Sequence, residues 1–149
     1  MNHSKNDSDF LKTLTLLYVE NDKDTCEHLC KFLKQCTGTL ITAENGAAGL
    51  AAYHTHHPAI VITDIQMPEM DGLTLALEIR NLDPAVPVIV TSAFEHTDYL
   101  LRSIEIGVNK YFTKPVDFDQ LHKALLECAH RLRAEKERSE HETTCFNVT

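Results

Sequence analysis

At 149 residues and 16.8 kDa the chain suits one ordinary domain, whose core needs neither a metal nor a disulfide to hold it. Fourteen basic residues against 22 acidic ones leave a net charge of −8, which disfavours nucleic-acid binding by this chain alone because phosphate contacts need a basic face. No apolar run approaches a membrane span and the opening MNHSKNDSDF has no apolar signal region, so no membrane contact and a cytoplasmic location are expected.

Residues 1–11 are mostly polar and are expected to form a flexible N-terminal segment ahead of a domain over 12–130. Leu14 to Val19 (LTLLYV) is a short apolar run and reads as a buried strand. Asp24 to Lys34 carries Cys26, Leu29, Cys30 and Leu33 at helical spacing, and Gly38 closes that unit. Thr39 to Ala43 is the second strand. Asn45 caps a helix running to His54, with Ala48, Ala51 and Ala52 facing inward, and Pro58 breaks it. Ala59 to Thr63 (AIVIT) is a third strand, apolar on both faces. Gly72 to Leu82 is helical, offering Leu73, Ala76, Leu77 and Ile79 for packing, and Asp83-Pro84 stops it. Val86 to Thr91 is the fourth strand. Asp98 to Ile106 is the fourth helix, closed by Gly107. Lys110 to Thr113 is the fifth strand. Asp117 opens a fifth helix with Gln120 in capping-box position and a stripe of Leu121, Leu125, Cys128 and Leu132.

Apolar strands alternating with helices indicate an α/β fold, a doubly wound five-stranded parallel sheet covered on both faces. Sites in such sheets form at the carboxyl ends of the strands. There the sequence places Glu20-Asn21-Asp22, Asp64, Thr91-Ser92 and Lys114-Pro115. Acidic oxygens beside a lysine and a hydroxyl suit a hard cation such as Mg²⁺ together with a phosphoryl group. No GxSxG, Walker loop, HExxH or GxGxxG is present.

The segment Asp64-Ile65-Gln66-Met67-Pro68-Glu69-Met70-Asp71-Gly72, with Ser92-Ala93, Tyr111 and Lys114-Pro115 in order and spacing, resembles the receiver domain of two-component response regulators. The resemblance covers about residues 12–130. It implies a (βα)5 flavodoxin-like receiver fold that acts as a signalling switch rather than a conventional enzyme. Asp64 would be the phosphoacceptor, taking a phosphoryl group from a sensor histidine kinase or a histidine phosphotransfer protein. Glu20, Asn21, Asp64 and the backbone carbonyl of Gln66 would hold Mg²⁺. Ser92 and Lys114 would contact phosphoryl oxygens, and a cis bond before Pro115 would point Lys114 inward. Ser92 and Tyr111 would then change the surface made by the fourth helix, fifth strand and fifth helix, which partners or a second copy would read.

Asn21 departs from the family, which usually has Asp there, and weaker Mg²⁺ binding is expected from the missing charge. Asp22 is expected to start the first helix rather than to compensate. Gln66 and Phe94, two residues after Asp64 and Ser92, flank the route of an attacking water; the bulk of Phe94 suggests slower loss of the phosphoryl group, and its other reading is a surface aromatic awaiting a partner. The alternative for the whole chain is a degenerate receiver acting as a phosphorylation-independent interaction module, which Asn21 alone favours. A phosphohydrolase would want a second acid where Gln66 stands.

Cys26, Cys30, Cys36, Cys128 and Cys145 include no CxxC and read as reduced thiols. His54, His56 and His57 read as a solvated helix end rather than a metal site. The sequons at Asn2, Asn6 and Asn147 read as chance matches. Residues 131–149 are expected to extend the last helix as a charged tail, with Arg131–Glu135, Arg133–Glu137, Lys136–Glu140 and Arg138–Glu142 at i, i+4, or to form a helical dimer.

Overall fold

A computed structural model describes residues 2–148, with side chains described over residues 5–140. The readings on Asn2, Glu142, Cys145 and Asn147 therefore fall outside the described side chains. The chain forms α1 (Asn2–Leu11), β1 (Thr15–Val19), α2 (Lys23–Cys36), β2 (Thr39–Ala43), α3 (Gly46–His56), β3 (Ile60–Asp64), α4 (Gly72–Leu82), β4 (Val88–Ser92), α5 (Thr97–Ile106), β5 (Lys110–Thr113) and α6 (Phe118–Val148). All strand pairs are parallel, in the order β2-β1-β3-β4-β5. Because α1 was not foreseen, the helices expected fourth and fifth are α5 and α6.

The two-residue period of the strands sorts their side chains between two cores. Leu16 and Tyr18 of β1, Ile60 and Ile62 of β3 and Ile89 of β4 pack with α2 (Leu29, Leu33) and α6 (Leu121, Leu125). Leu17, Val19, Val61, Val88 and Val90 point the other way, onto α3 and α4. Each core strand is apolar on both sides for this reason, as a sheet covered on both faces requires.

Helices α2, α3 and α4 begin on side-chain caps. Asp22 accepts from Thr25 N at 2.9 Å, Asn45 from Ala48 N at 2.8 Å and Asp71 from Thr74 N at 2.8 Å. Gly107 closes α5 in the left-handed region at φ 86°, where a side chain would be strained. Arg80 ties the α4–β4 corner by donating to Val86 O and, at 2.9 Å, to Gly107 O.

Three expectations need correction. Residues 2–11 are helix rather than a flexible segment: Leu11 is fully buried in the α2/α6 core, and Asp7, only 5% exposed, takes hydrogen bonds from Arg133. Two apolar residues next to a run of polar ones give no helical stripe; tertiary contacts with α6 select the helix. In α3 the inward face is Gly46, Gly49 and Tyr53, while Ala48 and Ala51 are exposed. A Cβ on Gly49 would lie 2.8 Å from a Val19 methyl, so the absence of a side chain lets α3 approach the sheet. In α4, Leu77 is exposed and Leu75 is buried instead. Among the described residues no helix is long and apolar enough to cross a membrane.

Candidate functional site

The strand period also decides which side chains meet at the carboxyl edge. Glu20 follows Leu16 and Tyr18, and Asp64 follows Ile60 and Ile62, so both carboxylates leave the sheet on the α2/α6 side. Lys114 follows β5 on the same side. Ser92 follows Val88 and Val90 to the opposite side. The edge is thus approached from both faces, near the point where the strand order reverses between β1 and β3.

Glu20 is 2% and Asp64 4% exposed. Lys114 Nζ donates to Glu20 Oε1 at 2.6 Å and lies 3.3 Å from Asp64 Oδ1. The ammonium is aimed at Glu20; Asp64 Oδ1, though buried, completes no hydrogen bond among the described residues. Burial, and then the neighbouring Glu20 charge, push the Asp64 carboxyl up to about 6, with Lys114 pulling against them. Burial works against the Lys114 ammonium, but its hydrogen bond to Glu20 and the charges of Asp64 and Glu20 outweigh this and raise its pKa. The Lys114–Pro115 peptide is cis.

The backbone around Asp64 is held closely. Ile65 N donates to Thr91 O at 2.9 Å, and Gly72 N donates back to Ile65 O at 2.9 Å. A Cβ on Gly72 would overlap the Asp64 carbonyl oxygen and lie 2.9 Å from Ile65 Cα, so only glycine lets α4 start this near to the acidic loop. Lys114 N donates to Ser92 O at 2.7 Å, tying β5 to β4 at the site.

Asn21 is exposed beside these groups. Asp22 does not join them: its oxygen is used by Thr25 N and Oγ1 at the start of α2. Among the described residues no cluster of three or more His, Cys, Asp or Glu side chains could hold a metal. His54, His56 and His57 form no such cluster either.

Ser92 is fully buried, and its hydroxyl bonds the Gln66 carboxamide in both senses, accepting from Nε2 at 3.0 Å and lying 3.2 Å from Oε1. Phe94 N donates to Ser92 Oγ at 3.1 Å. Tyr111 is half-buried, and its hydroxyl donates to Phe94 O at 2.8 Å. Phe94 is 55% exposed, with its ring 5.7 Å from that of His96.

One site group was missed in the sequence. Tyr18 donates to Glu20 Oε1 at 3.4 Å. Its place two residues before Glu20, on the same face of the strand, was the available signal. The Gln66 side chain, expected to flank the route of an attacking water, joins the site through its hydrogen bonds with Ser92. Thr91 Oγ1 is buried without a hydrogen-bond partner among the described residues. A cavity of about 490 Å³ opens beside Lys114, lined also by Tyr18, His28, Leu29, Thr91 and Phe118.

Comparison with known proteins gives the family. The family model described as the response regulator receiver domain matches residues 16–126. The transcriptional regulatory protein GlrR of Escherichia coli is 35% identical over 114 residues, 76% of this chain but 26% of that protein. The chain thus spans about a quarter of the curated relatives of that type. The chemotaxis protein CheY of Bacillus subtilis is 36% identical over 83 residues, 56% of this chain and 69% of CheY. Among solved structures, the N-terminal domain of an uncharacterized Wolinella succinogenes protein superposes with a TM-score of 0.78 at 32% identity, over 83% of this chain and 99% of that one. A chain of the CheX-CheY-BeF3-Mg complex from Borrelia burgdorferi gives 0.71 at 25% identity, over 76% of this chain and 87% of that one.

Proposed function

The chain belongs to the response regulator receiver domain family, and from that premise we propose that it works as a phosphorylatable switch with Asp64 as the phosphoacceptor. The observation that carries this reading is Asp64 Oδ1, buried and without a hydrogen bond in a pocket that already holds a lysine. A buried carboxylate oxygen left unsatisfied is costly. It is also an available nucleophile and cation ligand.

Four oxygen donors suit Mg²⁺: Glu20, Asn21, Asp64 and the Gln66 backbone carbonyl. When bound, the ion offsets the repulsion between the Asp64 carboxylate and an incoming phosphoryl group. A donor of the phosphohistidine class, on a sensor histidine kinase or a phosphotransfer protein, supplies that group. A carboxylate oxygen of Asp64 forms the new bond to phosphorus as the phosphorus–nitrogen bond breaks, and the histidine leaves with the bonding pair. Lys114 shifts its positive charge from the carboxylate pair toward the phosphoryl oxygens. Ser92 turns its hydroxyl from Gln66 toward the same group. The added charge of about −1.5 to −2 favours the packing in which Ser92 has moved.

Tyr111 carries the change outward. Its hydroxyl holds the Phe94 carbonyl, two residues beyond Ser92. A shift of the β4–α5 loop breaks that bond and frees the ring to turn inward. The α5–β5–α6 surface changes with it, and a partner or a second copy reads that surface. Leu101 and Ile104 already expose apolar area on α5, Ile104 by 74%.

Incubation with acetyl phosphate, with and without Mg²⁺, followed by intact mass tests the reading. One phosphoryl group on the wild type with Mg²⁺ and none on Asp64→Asn supports it. No adduct on either protein, with binding to partners unchanged, supports the phosphorylation-independent module that Asn21 favours.

A further inference from the structure

The first half of α2 carries two thiols that the phosphoacceptor site does not use. Cys26 and Cys30 lie one helical turn apart, and one thiol hydrogen-bonds the other with the sulfurs 3.4 Å apart. Cys26 is half-buried; Cys30 is buried, and both are reduced. They belong to the same core cluster as Tyr18. Two thiols at contact distance can be joined in three ways: by a disulfide, by a linear ion or by a bent bridge.

Geometry decides between them. A disulfide needs Cβ atoms about 3.5–4.5 Å apart, whereas residues four apart on a helix hold theirs about 5–6 Å apart. Oxidation would have to unwind the helix. Thiolate bonds to a thiophilic centre are about 2.3 Å long, so a linear S–X–S bridge spans roughly 4.6 Å and a right-angled one roughly 3.3 Å. The observed 3.4 Å fits the right-angled bridge with no change in the helix. Such an angle belongs to pyramidal trivalent centres. Burial favours the same class, because the Cys30 thiol is pushed up to about 12 and resists ionisation. A neutral trivalent hydroxide needs no preformed thiolate.

We propose that Cys26 and Cys30 form a dithiol site for a trivalent arsenical. Two S–H bonds and two As–O bonds break, two As–S bonds form, and two waters leave carrying the thiol protons. Nothing is oxidised or reduced. Cys26, the more accessible thiol, reacts first; Cys30 closes the ring.

Phenylarsine oxide, which is hydrated in water to the dihydroxide, is the probe, with binding followed by intact mass and by competition against a small dithiol. The wild type takes up one equivalent. The triple variant Cys36→Ser, Cys128→Ser, Cys145→Ser keeps that affinity within about twofold, while Cys26→Ser and Cys30→Ser each weaken it at least tenfold. On the unmodified wild type, prebound arsenical blocks N-ethylmaleimide labelling of Cys26, a readout that needs no substituted protein. Loss of binding in the triple variant, unchanged affinity in Cys30→Ser, or undiminished labelling of Cys26 would each overturn the proposal.

Discussion

Replacing Asp64 by Asn should stabilise the fold, and by an amount that depends on pH in a defined direction. The native carboxyl rises from 3.8 to about 6, chiefly through burial. Below about pH 3 both native and unfolded chains hold this proton, and the wild type and Asp64→Asn should be nearly equal. Between pH 4 and 6 the unfolded chain ionises first, so it binds fewer protons and native stability falls as pH rises. Above about pH 7 the loss is complete. A shift of about two units is worth roughly 3 kcal/mol at about 1.36 kcal/mol per unit. Lys114 loses one counter-charge in the variant but keeps Glu20 at 2.6 Å, so we take the net gain as about 2 kcal/mol. At an m-value of about 2 kcal/mol/M this moves the urea midpoint up by about 1 M. The chain has no Trp, so far-UV circular dichroism in metal-free buffer is the probe. A midpoint no higher than that of the wild type at pH 8, or a difference that does not change from pH 4 to 8, would refute the electrostatic argument.

Asn21→Asp restores a third carboxylate and should tighten Mg²⁺ roughly tenfold, since affinity at such sites follows ligand charge; calorimetric titrations giving equal affinities would count against it. Gly72→Ala forces a Cβ into the Asp64 backbone and should cost roughly 3 kcal/mol in urea unfolding, a loss below 1 kcal/mol showing that α4 can retreat freely. Asp7→Ala removes the carboxylate that Arg133 holds at 3.0 Å and His130 at 3.2 Å. Arg133 can still reach Glu137 at 3.4 Å, so the cost should be about 1–2 kcal/mol, accompanied by faster amide exchange over residues 8–12; unchanged exchange there would mean that the ion pair does not anchor α1.

The strands and their faces were legible because apolar runs and the two-residue period are local properties. Reading the period one step past β1, and to the last residue of β3, puts Glu20 and Asp64 on one side, and Tyr18 beneath them. The Asn45 cap was legible for the same reason. What stayed hidden depends on partners distant in sequence. Asp7 looks like a solvated acid until Arg133, 126 residues later, is laid against it. Gly46 and Gly49 look like flexible punctuation until Met70 and Val19 crowd them. The carboxamide of Gln66 gives no local sign that it holds Ser92, 26 residues away. Leu75 is buried and Leu77 exposed, a detail that spacing alone does not carry. In the tail, Arg131–Glu135 at 3.9 Å and Arg133–Glu137 at 3.4 Å pair as their spacing predicts, while Lys136 also lies over the Phe10 ring at 6.0 Å.

The central claim is that one buried carboxylate, Asp64, becomes an acyl phosphate. Borohydride reduction converts an aspartyl phosphate to homoserine, which peptide mass mapping locates by residue. After treatment with acetyl phosphate and Mg²⁺, homoserine should be found at position 64, and it should be absent when the ion is chelated. Homoserine at any other carboxylate, or an intact Asp64 in a chain that carries phosphate elsewhere, would contradict the account.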